Sequence, residues 1–208
     1  MEELQITAVL PKEKGKSLVQ FDNGMKVLLY KGEIRKLSLR EGEYIPEALY
    51  EKILSEIVGT RAKKRAMHLL ERMDRTENQL TEKLRQNGYP DICIEEAIAY
   101  VKSYHYIDDA RYAQNYVRFH QQKKSRQRLK MDLFAKGIDC NIIENVLEET
   151  FCSDEQEKIR QLLEKRRFCY EDSDRKEQQK TYQFLMRRGF KSSDILHVMK
   201  TGNLQDEC

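Results

Sequence analysis

The chain has 208 residues and a net charge of +3, with 35% charged and 39% hydrophobic residues but only nine glycines and three prolines. That balance favours helices with wide solvated faces over one large core, in one or two domains or an extended array. No apolar run approaches the ~20 residues of a membrane span, and Met1-Glu2-Glu3 lacks the basic and apolar regions of a signal peptide, which excludes membrane and secreted classes and predicts a cytoplasmic protein.

The first segment is β-rich. Leu4 to Leu10 alternates as a strand does, and Ser17–Phe21 and Met25–Tyr30 flank Asp22-Asn23-Gly24, a hairpin turn. A further short strand is expected over Arg35–Leu39. So small a sheet needs a helix to pack on. Pro46 suits the first turn of a helix running to Ile57, and Gly59-Thr60 then opens a different kind of chain. Residues 1–58 are therefore taken as a small antiparallel β region with one helix.

From there the sequence repeats. Leu84-Arg85-Gln86-Asn87-Gly88-Tyr89 returns as Leu133-Phe134-Ala135-Lys136-Gly137-Ile138 and as Leu185-Met186-Arg187-Arg188-Gly189-Phe190. Ile94, Ile143 and Ile195 fall six residues past each glycine, and Ile98, Leu147 and Met199 fall ten past. A glycine after the last periodic residue stops a helix by taking the left-handed conformation, and the large apolar residue after it folds back as the partner of a Schellman-type cap. A second helix starts near Asp91, Asn141 and Ser193, with its apolar residues on one face. With one more helix before each pair, three three-helix repeats are predicted: 59–107 (helices near 61–73, 77–87 and 92–104), 108–152 (109–121, 126–136 and 141–150) and 153–201 (154–168, 175–188 and 193–200), followed by a frayed tail over 202–208. Thr76-Glu77-Asn78-Gln79 and Ser153-Asp154-Glu155-Gln156 read as capping boxes, and Ser125 as the cap of the most basic helix.

Between Arg111 and Lys136 lie eight basic residues (Arg111, Arg118, Lys123, Lys124, Arg126, Arg128, Lys130 and Lys136) against one acid, Asp132. Most charge runs are solvated helix faces, but the lack of interleaved acids here favours binding to a polyanion or an acidic protein surface. Nothing points to catalysis. There is no Walker loop and no G-x-G-x-x-G, and no Ser or Cys sits in a nucleophile elbow. His68, His105, His120 and His197 lack zinc-like spacing. The five cysteines (Cys93, Cys140, Cys152, Cys169 and Cys208) never form C-x-x-C and read as reduced thiols, Cys93 and Cys140 as small core or boundary residues. Asp108-Asp109 is explained more simply as a helix cap than as a metal or acid–base pair. Tyr106, Ile107, Tyr112 and Tyr116 look like packing between repeats. No catalytic residue, cofactor or metal is expected.

Tyr106-Ile107-Asp108-Asp109-Ala110-Arg111-Tyr112-Ala113 resembles the Y-[LI]-D-D-x-[RK]-[FY]-A signature of the RecX family, the regulators of the RecA recombinase. The Leu-x-x-x-Gly-aromatic segments with their spaced isoleucines, and Leu129 to Leu147 with Ala135-Lys136-Gly137-Ile138-Asp139, are similar to that family as well. The resemblance covers roughly residues 60–200 and is weaker in the third repeat, where Lys191 stands in place of the small capping acid Asp139. The β region resembles an extension found in longer members. What the resemblance implies is a mainly α protein, a tandem array of three three-helix repeats after a small N-terminal antiparallel sheet. It also implies a non-enzymatic cytoplasmic regulator in DNA repair, recombination and the SOS response. Such a protein binds the groove of the RecA filament on single-stranded DNA and inhibits or modulates its ATPase, strand exchange and coprotease activities, with weaker binding to DNA itself, duplex included. A monomer suits an open array, and helices of 10–14 residues packed ~8–10 Å apart would let three repeats extend over roughly 60 Å. The residues expected to carry the contact are Lys123, Lys124, Arg126, Arg128 and Lys130, with Arg111 and Arg118 on the preceding helix. Arg72, Lys83 and Arg85 are the counterparts in the first repeat, as are Arg166, Arg167, Arg187 and Arg188 in the third. A general nucleic-acid-binding helical module without a recombinase partner is the alternative. A helical scaffold for an unrelated protein is another, and an enzyme is the most distant.

Overall fold

In the computed structural model, which describes residues 3–152 and 154–201, strands β1 (Glu3–Pro11), β2 (Lys16–Phe21), β3 (Lys26–Tyr30) and β4 (Tyr44–Pro46) form an antiparallel sheet in the order β3-β2-β1-β4. The alternation of the sequence puts Ile6, Val19, Phe21, Val27 and Leu29 on the buried face. The Asp22-Asn23-Gly24 turn closes as expected, with Gly24 at φ +80° and the Asn23 side chain accepting the Met25 N–H.

The strand expected over Arg35–Leu39 does not form. A short helix, α1 (Lys31–Lys36), and its closing turn occupy that stretch. The Glu33 carboxylate accepts the Tyr30 N–H at 2.8 Å and is itself gripped by Arg61 at 2.5 and 2.7 Å, which starts a helix. Ser38, at φ +54°, lets the Leu39 N–H reach Ile34 O and ends it. Pro46 likewise ends β4 and precedes α2 (Glu47–Lys52) rather than entering its first turn. Nor does Gly59 interrupt the chain: α2 continues through a π-helical segment, Ile53–Gly59, into α3 (Thr60–Arg72), and Gly59 has ordinary helical angles. Its small size is what counts, since a Cβ there would lie 3.0 Å from Leu54 O and 3.2 Å from the Glu96 carboxylate. Leu54 O accepts the buried Cys93 thiol at 3.5 Å, and burial, then the nearby Glu96, pushes that thiol up to about 11.

The chain divides after Asp108 into two compact units. In the first, the sheet shares one continuous core with α3, α4 (Glu77–Gln86) and α5 (Asp91–Ser103). The second holds α6 (Asp109–His120), α7 (Arg126–Ala135) and α8 (Cys140–Thr150) around one core, and α9 (Glu155–Lys165), α10 (Arg175–Met186) and α11 (Ser192–Thr201) around another.

The repeat pattern is realised in all three bundles. Leu84, Leu133 and Leu185 are fully buried, as are the isoleucines at 94, 143 and 195 to within 2%. Gly88, Gly137 and Gly189 take φ of +82°, +79° and +83°, and Ile138 and Phe190 tuck back into their cores. Thr76 makes its capping box with Gln79, and Ser125 accepts the Arg128 N–H. The helix after each of the three repeat glycines is entered earlier than expected, Ser193 lying already inside α11. Pro90 precedes α5, leaving Asp91 inside the first turn, and Asp139 caps α8 by accepting the Asn141 N–H at 2.8 Å. Asp154 caps α9, whereas Ser153, Met1, Glu2 and the tail from Gly202, with Cys208, lie outside the described residues.

Candidate functional site on the basic second repeat

Helix α7, the most basic of the second repeat, starts from an unusually well-satisfied N-terminus. A helix leaves its first N–H groups without intrahelical partners. Ser125 Oγ accepts the Arg128 N–H at 3.1 Å and donates to Gly189 O at 2.7 Å, while the Ser125 N–H donates to Arg188 O at 3.0 Å. Glu155, the first residue of α9, accepts the Arg126 N–H at 2.8 Å. The third repeat thus fixes the start of the second repeat's basic helix.

Along α7 the buried residues are Leu129 and Leu133, and the cations flank them on both sides. On one side Arg126 (3.3 Å) and Lys130 pair with Glu144 of α8, which lowers that carboxyl's pKa through the Lys130 hydrogen bond first. On the other side Lys124 (2.7 Å) and Arg128 (3.0 Å) close on Asp132. Tyr116 OH donates to Asp132 at 3.1 Å and accepts from Lys124 at 2.9 Å. Burial alone would lower the Lys124 pKa and raise that of Asp132, but their mutual hydrogen bond and the one each makes with Tyr116 outweigh it, so Lys124 is raised and Asp132 lowered. His120, 4.3 Å from the Tyr116 ring, is depressed by burial and then by Lys124. Lys136 lies over the stacked rings of Tyr112 and Tyr116 at 5.7 and 5.2 Å. Both tyrosines pack against the second repeat's own core, and Ile107 is buried in the first unit's core.

Most of the expected site is therefore internally engaged. The sequence run holds a single acid, Asp132, and the fold adds Glu144 from the next helix. Arg118 and Lys123 remain exposed with no side-chain partner among the described residues. Arg111 is exposed on α6. The first-repeat candidates are spread out: Arg72 ends α3, Lys83 reaches Gln86 at 3.4 Å, and Arg85 bridges Glu82 and Asp91. In the third repeat Arg166 and Arg188 sandwich Phe184 at 4.2 and 3.7 Å, while Arg187 is exposed and Arg167 sits at φ +54°. Two further cations, Lys63 and Lys64 on α3, were not among the residues singled out from the sequence. Their signal was available, since Arg61 to Arg65 holds four cations, of which Arg61 and Arg65 are used up on Glu33 and Asn87.

Among the described residues no group of histidines, cysteines and carboxylates could hold a metal ion, and no helix is long and apolar enough to cross a membrane.

Comparison with known proteins matches every repeat in order. Residues 62–100, 108–147 and 153–199 fit the models of the first, second and third three-helix domains of RecX. A regulatory protein RecX of Caldanaerobacter subterraneus subsp. tengcongensis is 32% identical over 91% of this chain and 95% of its own length. One from Clostridium acetobutylicum is 28% identical over 96% and 97%. A crystal structure of regulatory protein RecX superposes with a TM-score of 0.58 at 24% identity, over 95% of this chain and 98% of that one. RecX from Lactobacillus salivarius gives 0.55 at 29% identity, over 70% and 97%.

Proposed function

The chain belongs to the RecX family of regulatory proteins, and from that premise we propose that it regulates the RecA recombinase by binding the RecA filament on single-stranded DNA. It acts in the cytoplasm, as a monomer and without catalysis, on the filament's ATPase, strand exchange and coprotease activities. The units that make the contact are residues 59–107, 108–152 and 153–201. The observation that carries this reading is the match of all three helical repeats, in order, to the three domains of one regulatory family.

The acid-poor run of the second repeat, Arg111 to Lys136, supplies the main charge. Arg118 and Lys123 point the way because no acid among the described residues pairs with them, whereas Arg126, Arg128 and Lys130 present a partly compensated surface in which a stronger anion can replace Glu144 or Asp132. Lys124 acts from within, by holding Asp132 and Tyr116 in place.

The test is ATP turnover by RecA on single-stranded DNA with this protein at a small molar fraction. The wild-type chain lowers turnover. The double variant Arg118→Ala/Lys123→Ala, which leaves both acid-centred clusters intact, needs roughly tenfold more protein for the same effect, equivalent to about 1.4 kcal/mol. No effect of the wild-type chain on turnover would end the reading, and an unweakened double variant would end the role of these two cations.

A further inference from the structure

We propose that Tyr100, Tyr104 and Tyr106 of the first repeat form a stacking platform for the unpaired bases of a single-stranded polynucleotide, with Lys63 and Lys64 placed to meet its phosphates. The three rings are exposed by 38%, 58% and 46%, unusual for a cluster of large aromatics on one short stretch of chain. They form a row: Tyr100 and Tyr104 lie 5.0 Å apart, and Tyr104 and Tyr106 stack at 6.0 Å with planes 24° from parallel.

The row exists because the backbone is bent to make it. Helix α5 ends at Ser103, and His105 takes φ +56°, a left-handed conformation filled by glycine in the three repeat turns. The His105 N–H then reaches Lys102 O at 2.9 Å and the Tyr106 N–H reaches Val101 O at 3.0 Å, which brings Tyr106 back beside Tyr104 instead of away from it. A non-glycine residue held there marks a position that the surrounding structure maintains against strain.

Beside the row runs a groove of about 480 Å³ between α3 and α5, lined by Lys63, Lys64, Met67, His68 and Tyr100 among others. Lys63 Nζ sits 6.0 Å over the Tyr100 ring and 3.3 Å from Glu96, and Lys64 has no side-chain partner among the described residues. Flat aromatic faces next to cations that can track a backbone are the combination that binds single strands without reading sequence. The rings stand too close together for a base to enter between them, since that needs roughly twice the 3.4 Å rise of stacked bases, so bases lie on the outward faces. A duplex, whose bases are already stacked, has nothing to offer such a platform.

The proposal rests on the filament reading for its setting, but its test uses naked nucleic acid, so the two fail separately. Binding of the full chain is measured by fluorescence anisotropy, at one salt concentration, to a roughly 20-nucleotide oligothymidine and to an abasic phosphodiester strand of the same length, which exceeds a site of about 4–16 nucleotides. The wild-type chain binds the oligothymidine more tightly than the abasic strand. Tyr104→Ala/Tyr106→Ala weakens oligothymidine binding by roughly 5- to 100-fold and leaves abasic binding unchanged, while Tyr104→Phe/Tyr106→Phe retains both. Equal wild-type affinity for the two strands, a measurement that needs no variant, overturns the proposal. So does a folded alanine variant that binds oligothymidine normally yet loses inhibition of RecA turnover, which would assign the row to a protein surface.

Discussion

Lys158 stands against the usual economy of charge. It is only 2% exposed on α9, its Nζ has no hydrogen-bond partner among the described residues, and the face of the Phe151 ring lies 4.0 Å away. Burial lowers its pKa from 10.5 to about 8, against a small opposing pull from Glu155. The unfolded chain keeps that proton up to pH 10.5 and the folded chain releases it near 8, so unfolding takes up a proton between those values and stability climbs with pH across the window. Below pH 8 both states are charged and the full penalty applies. Lys158→Met should therefore stabilise the protein at pH 7 by about 1–3 kcal/mol and abolish the rise, as followed by urea unfolding at pH 7 to 10. A flat wild-type profile would show that the ammonium is hydrated. At this scale the sequence displayed the cations of the candidate site and concealed their neutralisation. Glu144 lies fourteen positions from Lys130 and becomes its partner only when α8 folds across α7. No composition window could reveal Lys158 as buried either, because the residue that covers it, Phe151, lies outside its helix.

Elements were far more legible than contacts. The helix stops at Gly88, Gly137 and Gly189 could be read directly because a left-handed residue is a local demand, met at least cost by glycine. The alternation over Arg35–Leu39 misled because the side chain that decides it, Arg61 on Glu33, comes from a helix more than twenty residues later. Gly59 misled in the opposite way, since a glycine needed for close packing looks the same as one needed for a turn. Two of the repeat glycines differ from each other too. A Cβ at Gly88 would only touch Leu28 at 3.9 Å, whereas at Gly189 it would fall 2.7 Å from both Ser125 Oγ and Arg128 Cβ. Gly88→Ala should cost about 1–2 kcal/mol, the price of the left-handed backbone alone. Gly189→Ala adds overpacking and should cost about 2–5 kcal/mol in all. Thermal unfolding of the two variants side by side separates the terms, and equal losses would contradict the close approach.

For the molecule as a whole, the question is which parts unfold together. In helical repeat proteins stability is approximately a sum of repeat terms and nearest-neighbour terms. The second and third repeats have separate cores but share the N-terminus of α7, through Ser125, Arg126, Glu155 and the Arg188-Gly189 turn. A cavity in the third core, Leu185→Ala, should cost about 2–5 kcal/mol and lower amide hydrogen-exchange protection in α6–α8 as well as in α9–α11. Loss confined to α9–α11 would mean that the shared hydrogen bonds contribute little. This coupling was invisible in the sequence for a physical reason: periodicity reports what each bundle buries within itself, and Ser125 to Gly189 spans 64 positions. It bears on how such proteins can be recombined. The last bundle of one chain cannot simply be grafted onto the first two of another, however alike their helices, because the donor must bring a carboxylate at the position of Glu155 and a bare glycine at that of Gly189 as a matched set. A chimera missing either would present the cationic helix of its second bundle with a frayed beginning.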